Sequence, residues 1–439
     1  MGGKRAWNIE VPKNAVEVKN PIRALVEKIG APNPEKKVIT LAQGDPTVFG
    51  YLPAPEAAVE AVVAATTSGR QNGYGHSCGS AECRSAVAEA HSPPGHRVTA
   101  DDVFLTAGCS QGLEHAIGLL GTKGKNLLLP SPGFPLYETI CEYYGIEPRF
   151  YQLRAEKDWS VDFDALRSLV DDHTVGILIC NPSNPTGSNF SKQELESYIS
   201  FAEENCLPII ADEVYEGMVF PGEKFYSMAE LSERVPIISV GAISKRFLVP
   251  GWRLGWVILH DRNDILQAAD FSHGMKGQHM IRLGPCSLIQ AAVPEMLKKV
   301  DDSWLAGVMS KLEASAEVCI RRTEGIPGLF IAARPKGAMY VMIGVDFAHF
   351  PGVSDASEFA QKLFKGQSVM VLPGELFRAE GMFRLCFAGP PEVMEEAFDR
   401  IAEHCEEIGE QRSPSDRICT PQHQTMPNKR MKRVNSFVA

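Results

Sequence analysis

Ser244-Lys245-Arg246-Phe247-Leu248-Val249-Pro250-Gly251-Trp252-Arg253-Leu254-Gly255-Trp256 links one apolar run, 237–240, to another, 254–259. A lysine follows directly on a hydroxyl, and an arginine stands eight residues beyond it. Pro250-Gly251 turns the chain between them, and the second run leaves as a strand. A lysine in this setting suits a carbonyl cofactor that carries a phosphate. Its amine forms a Schiff base, while Ser244 and Arg253 neutralise the phosphate. Arginine offers phosphate oxygens a planar fork that a second lysine could not. The competing reading is a charged surface loop before a buried hairpin, so the rest of the chain has to decide.

Working outward, 439 residues are enough for two domains, or for one large α/β domain with a smaller lobe. The 44% hydrophobic and 22% charged content is that of a globular enzyme. A net charge of -10 argues against nucleic acid as a partner, which would need a basic face. No apolar run approaches the roughly 20 residues of a membrane helix, so no membrane partner is expected either. The N-terminus has basic residues without an apolar core behind them, and Ala6 stands where a myristoylation site wants Ser or Thr. The 11 cysteines are scattered without a C-x-x-C pair, and the histidines show no H-x-x-x-H. Reduced thiols in a cytoplasmic protein are expected, with no metal.

Short apolar runs at 103–106, 126–129, 175–180, 207–211, 237–240 and 254–259 alternate with helical segments. That rhythm predicts a mostly parallel sheet covered on both faces, its last strand entering antiparallel. Helical patterns fill 265–300 and 304–325. Beyond Pro327-Gly328 the texture becomes α+β, with strands at 337–345, 369–372 and 383–387 and helices at 357–364 and 391–408. The expected division is an arm and part of a small domain at 1–69, a large cofactor-binding domain at 70–326, the small domain at 327–410, and a disordered basic tail at 411–439.

Three further constellations carry chemistry. Asn184 sits in the doubled Asn-Pro loop 181–187 after a strand, where ligands bind in an open α/β sheet. Asp212 ends the apolar run 207–211, a costly place for a carboxylate without a cationic partner, and Tyr215 follows three residues on. A protonated pyridine nitrogen is such a partner; the plain alternative is an N-cap for a helix at Glu213. Gly108-Cys109-Ser110 lies between a strand and a helix N-terminus, where exposed N–H groups cradle anions. Phe134, in a Pro-Gly-Phe-Pro turn, could lie flat on a ring or simply be core.

These motifs, with Gly44-Asp45-Pro46-Thr47-Val48-Phe49-Gly50, Ser131-Pro132-Gly133-Phe134 and Ala211-Asp212-Glu213-Val214-Tyr215, stand in the order found in the pyridoxal-phosphate aminotransferases of fold type I. The chain resembles that family from about residue 20 to about residue 405. The resemblance implies an α/β fold: a large domain around a mostly parallel seven-stranded sheet, with a smaller α+β domain. It implies pyridoxal 5'-phosphate as cofactor and amino acids and 2-oxo acids as substrates. It places the chain in the tyrosine-using branch, giving 4-hydroxyphenylpyruvate and glutamate from tyrosine and 2-oxoglutarate. An alanine-type or broad aminotransferase, or a lyase on the same fold, is the alternative. Lys245 resembles the Schiff-base lysine and proton shuttle, Asp212 the partner of the pyridine nitrogen, and Tyr215 and Asn184 the donors to the ring hydroxyl. Phe134 resembles the stacking residue, and Gly108, Cys109, Ser110, Ser244 and Arg253 the phosphate cup. Arg384 resembles the clamp on the substrate α-carboxylate, with Gly44 a backbone contact to the same group. Tyr74 resembles the tyrosine that reaches the neighbouring subunit's phosphate, implying a homodimer with shared sites, although Tyr74-Gly75-His76-Ser77-Cys78-Gly79 departs from the family's pattern. Arg282 is the candidate basic group for an acidic substrate side chain.

Overall fold

The computed structural model describes residues 7 and 9–409; the basic tail expected at 411–439 lies outside them. Seven long strands form the main sheet in the order Val103–Thr106, Gly255–His260, Ile237–Ala242, Ile209–Asp212, Thr174–Cys180, Asn126–Ser131 and Glu147–Arg154. A two-residue strand, Ser160–Val161, adds an eighth at the edge. Gly255–His260 alone runs against the other six long strands, paired antiparallel with Val103–Thr106 on one side and Ile237–Ala242 on the other. The antiparallel entry read from the Pro-Gly turn is therefore correct.

The central strands are short unbroken apolar runs because helices cover both faces. Every residue of Asn126–Ser131, Ile237–Ala242 and Gly255–His260 is buried. One face packs Ile210, Ile238, Val257 and Leu259 against the helices that carry Cys109 and Tyr137. Glu147–Arg154 was not expected as a strand. It lies near the sheet's edge, is partly exposed, and mixes polar with apolar residues without a regular alternation.

The helical stretch expected at 265–300 is three helices, Ile265–Ala268, Phe271–Arg282 and Ser287–Lys299. Gly284-Pro285 forces the second break, since proline cannot extend a helix whose preceding residue is pushed out of the α region. The C-terminal part forms a four-stranded antiparallel sheet, Leu329–Ile331, Tyr340–Val345, Met382–Cys386 and Leu372–Pro373, with Asp302–Glu324, Ala356–Gln367 and Pro391–Gly409 packed around it. The N-terminal segment reaches this part of the molecule, because Ile39–Thr40 pairs in parallel with Val369–Met370. That pairing sets Gly44 and Asp45 beside the strand ends of the main sheet.

Candidate active site

A cavity of about 570 Å³ opens at the carboxyl ends of the parallel strands. Gly44, Cys109, Ser110, Phe134, Asn184, Asp212, Tyr215, Ser244, Lys245, Arg253 and Arg384 all line it. Residues separated by more than 300 positions in sequence thus meet at one place.

Lys245 sits on the single turn Ile243–Arg246 that ends strand Ile237–Ala242. Its amine donates to the Gly44 carbonyl oxygen. Burial holds its pKa below the ordinary lysine value, and the Arg384 charge adds to that; Cys386 and Asp45 pull the other way. The shift makes this amine easier to deprotonate than an exposed lysine.

Asp212 is 3% exposed and ends its strand inside the cavity. Tyr137 Oη donates to Asp212 Oδ2 at 2.6 Å, Cys109 Sγ to Oδ1 at 3.5 Å, and the Val214 N–H to Oδ1 at 3.3 Å. No helix begins at Glu213, so the N-cap reading fails. Burial raises the Asp212 pKa despite these donors and the nearby Lys245. A carboxyl held in this way gains most from a cation placed opposite it.

Arg384 is 2% exposed. Its Nη1 donates to Asn184 Oδ1 at 2.8 Å and its Nη2 to the Ala42 carbonyl at 2.5 Å. Its plane sits between the rings of Tyr340 and Phe377, 4.4 and 4.6 Å from their centroids. Nε finds no acceptor among the described residues, and no carboxylate lies within ion-pair reach there. A buried guanidinium without a counter-charge is strongly destabilising, and a forked ligand carboxylate is what it fits.

At the other end, Gly108 (φ +81°) precedes the helix Cys109–Leu120, whose first-turn N–H groups lack intrahelical acceptors. A Cβ on Gly108 would come within 2.4 Å of Arg253 Nη2, so glycine is what lets the guanidinium lie against this turn. Arg253 itself adopts φ +51°, a region that costs a side-chain-bearing residue about 1–2 kcal/mol. It donates to the Pro250 and Ala107 carbonyls at 2.9 and 3.1 Å. With the Ser110 and Ser244 hydroxyls, this corner is a donor set for a multiply charged oxyanion.

Two residues that matter escaped sequence reasoning. Tyr137 is the closest partner of Asp212, and Tyr340 shares a 2.6 Å hydroxyl–hydroxyl bond with Tyr215. A Cβ on Gly44 would strike the Tyr340 hydroxyl at 2.0 Å. Each is a lone tyrosine inside an ordinary element, without a motif around it. Two other candidates are not brought to the cavity. Tyr74 is 96% exposed and outside it. Arg282 is held by Glu114 through two bonds of 3.0 and 2.7 Å. A different arginine, Arg23 of the helix Pro21–Lys28, stands on the rim instead.

Residues 36–401 match the family model described as aminotransferase class I and II. The chain belongs to that family. As a class I and II aminotransferase it uses pyridoxal 5'-phosphate, and the residues present fit that group: an anion-binding corner, a buried acid and an amine in one cavity. The chain is similar to mouse tyrosine aminotransferase, with 42% identity over 92% of this chain and 89% of the relative. Among solved structures it is similar to tyrosine aminotransferase from Leishmania infantum, with 33% identity, a TM-score of 0.86, and 92% and 100% of the two chains covered. It is also similar to alanine aminotransferase from Pyrococcus furiosus, with 32% identity, a TM-score of 0.83, and 91% and 100% covered.

Proposed function

We propose that this aminotransferase carries the amino group of tyrosine, and of other aromatic amino acids, to 2-oxoglutarate, giving 4-hydroxyphenylpyruvate and glutamate. The observation that carries the reaction type is the buried Arg384 with its open Nε, facing the same cavity as Lys245 and Asp212. The aromatic preference is supported by the similarity to the mouse and Leishmania infantum tyrosine aminotransferases.

Arg384 takes the substrate α-carboxylate in its fork, and Asn184 holds the guanidinium in the required plane. Lys245, its basicity tuned by burial, removes the Cα proton and later returns it. When bound, the cofactor supplies an aldehyde for the amine and an electron-withdrawing ring that takes up the charge left at Cα. Asp212 would hold the ring nitrogen's proton, with Tyr137 and Cys109 fixing its carboxylate. Cys109, Ser110, Ser244 and Arg253, with Gly108 making room, would hold the phosphate. Phe134, standing edge-on to Tyr137 at 5.7 Å, walls the ring's space. Tyr215 and the Asn184 Nδ2, which has no acceptor among the described residues, are the donors for the ring hydroxyl, and Gly44 a backbone contact for the α-carboxylate. Arg23 is the cation left for the second carboxylate of 2-oxoglutarate, since the other three lining cations already have tasks.

A homodimer belongs to the same reading. Tyr74 is exposed, and Met280, Ile281 and Leu283 present 66%, 77% and 58% of their surface nearby; Gly284 lies against the backbone of His76 and Ser77. The free thiols suit a cytoplasmic setting. Residues 70–326 serve as the cofactor-binding domain, with 327–410 and the segment before 70 as its smaller companion.

The test is to supply purified protein with pyridoxal phosphate and 2-oxoglutarate and to follow tyrosine, phenylalanine and alanine in turn. Tyrosine should give the highest kcat/KM. Alanine leading the panel would favour the alanine-type reading, and sustained turnover beyond one equivalent per site without 2-oxoglutarate would make it a lyase.

A further inference from the structure

Behind the catalytic cavity, across the sheet, lies a second one of about 230 Å³. It shares His91, Glu213, Glu216 and Trp256 with an adjoining space of about 90 Å³. Strand alternation separates the two sides. Ile238, Val257 and Leu259 face the catalytic helices, whereas Ser239, Trp256 and His260 face this cavity. Nothing in the proposed reaction uses it.

Its chemistry is one-sided. Glu213, Glu216 and Glu230 line the larger space, which contains no lysine or arginine. Two deeply buried polar atoms there lack partners among the described residues: Ser239 Oγ and His260 Nδ1, on residues 4% and 5% exposed. Buried polar atoms of this kind are normally satisfied by protein, water or ligand. Glu216 is paired with His91 at 3.0 Å, yet 30% of its side chain remains accessible. The Trp256 ring, tilted 59° to His91 at 5.2 Å, supplies a flat apolar wall.

We propose that this cavity binds a small, flat organic cation bearing N–H donors, an amidinium or guanidinium. Its charge would meet Glu213 and Glu216, an N–H would reach Ser239 Oγ, and its plane would lie on Trp256. Carboxylates accept such a fork in pairs, and an indole face attracts the charge. Three glutamates stand against His91 in this cavity, with Arg246 in the adjoining space, so an anion is disfavoured.

Glu213 makes occupancy measurable. Burial raises its pKa to about 8, Glu216 adds to this, and the Met228 N–H, Ser227 hydroxyl and His91 oppose it. Arg246 faces the adjoining space. A cation seated beside Glu213 therefore expels a proton near neutral pH.

The experiment is calorimetric titration of the full-length, cofactor-loaded protein with benzamidinium chloride, a poor nucleophile toward the cofactor's aldehyde. Benzamide, of the same shape and uncharged, is the control. One saturable site per chain is expected, with benzamide at least tenfold weaker. Glu216→Gln and Ser239→Val should each weaken benzamidinium at least tenfold, while Arg384→Ala leaves it unchanged. In buffers of different ionisation enthalpy at pH 7, binding should release part of a proton. Absence of saturable binding overturns the proposal, as does benzamide binding equally well. Sensitivity to Arg384→Ala alone would place the ligand in the catalytic cavity and overturn it too. Should both variants fail to fold, binding to the unmodified protein without proton release would do the same.

Discussion

Asp212 and Glu213 are neighbours in sequence, and burial raises the pKa of both, yet they face opposite sides of one sheet into different company. Asp212 looks toward Lys245 and Arg384, with a phenol and a thiol donating to it. Glu213 caps the start of Met228–Leu231 through the Met228 N–H at 2.8 Å and the Ser227 hydroxyl at 3.1 Å, with a second carboxylate, Glu216, beside it. Burial alone therefore does not make a catalytic acid; the charge placed opposite it does.

The sharpest way to break this contrast is on the catalytic side. On the proposed mechanism Lys245→Ala removes the proton carrier and the cofactor's attachment point, and single-turnover rates with tyrosine should fall by about 10³-fold or more. Next is Arg384→Ala. Truncating one partner of a buried charge pair costs about 2–5 kcal/mol, so kcat/KM should fall by roughly 30- to several-thousand-fold, mostly through KM. Tyr137→Phe leaves the fold and removes one hydrogen bond to a charged group. A loss of about tenfold in kcat/KM is expected, with binding of the α-carboxylate intact. Arg23→Ala is milder, because the side chain is exposed. The KM for 2-oxoglutarate should rise about threefold, or ~0.6 kcal/mol, while that for tyrosine stays within error.

Glu213→Gln is the converse case. Activity should stay within about twofold, but the pH dependence of stability should flatten. With a folded pKa of about 8 against an ordinary 4.5, the native state holds a proton that the unfolded chain has released between those values. Wild-type stability must then decline as pH rises through that window. His91, whose pKa is raised by Glu216 against the opposing effect of burial, adds a decline of the same sign; the lowered Glu216, at about 2, acts only below it. Melting temperatures from pH 5 to 8 should fall more steeply in wild type than in the variant.

Much of this was legible in the chain. Strands buried on both faces write themselves as apolar runs, and Asn184, Asp212 and Lys245 stand at the ends of such runs or just beyond them. What could not be read was whatever depends on a distant partner. Tyr137 and Tyr340 acquire meaning only through Asp212 and Tyr215, and Arg23 only because the fold brings the helix Pro21–Lys28 to the cavity rim. Glu147–Arg154 lacked the pattern because, beyond Asn126–Ser131, it is covered on its far side only by the two-residue strand Ser160–Val161 and stays partly exposed.

The placement of Gly255–His260 also bears on how the chain is made. Among the described residues Val103–Thr106 has no other neighbour in the main sheet, so it waits unpaired until some 150 further residues have been synthesised. A ribosome stalled before residue 255 would display this strand without the sheet partner that Gly255–His260 supplies. The last strand to arrive is the one that lets the first one fold.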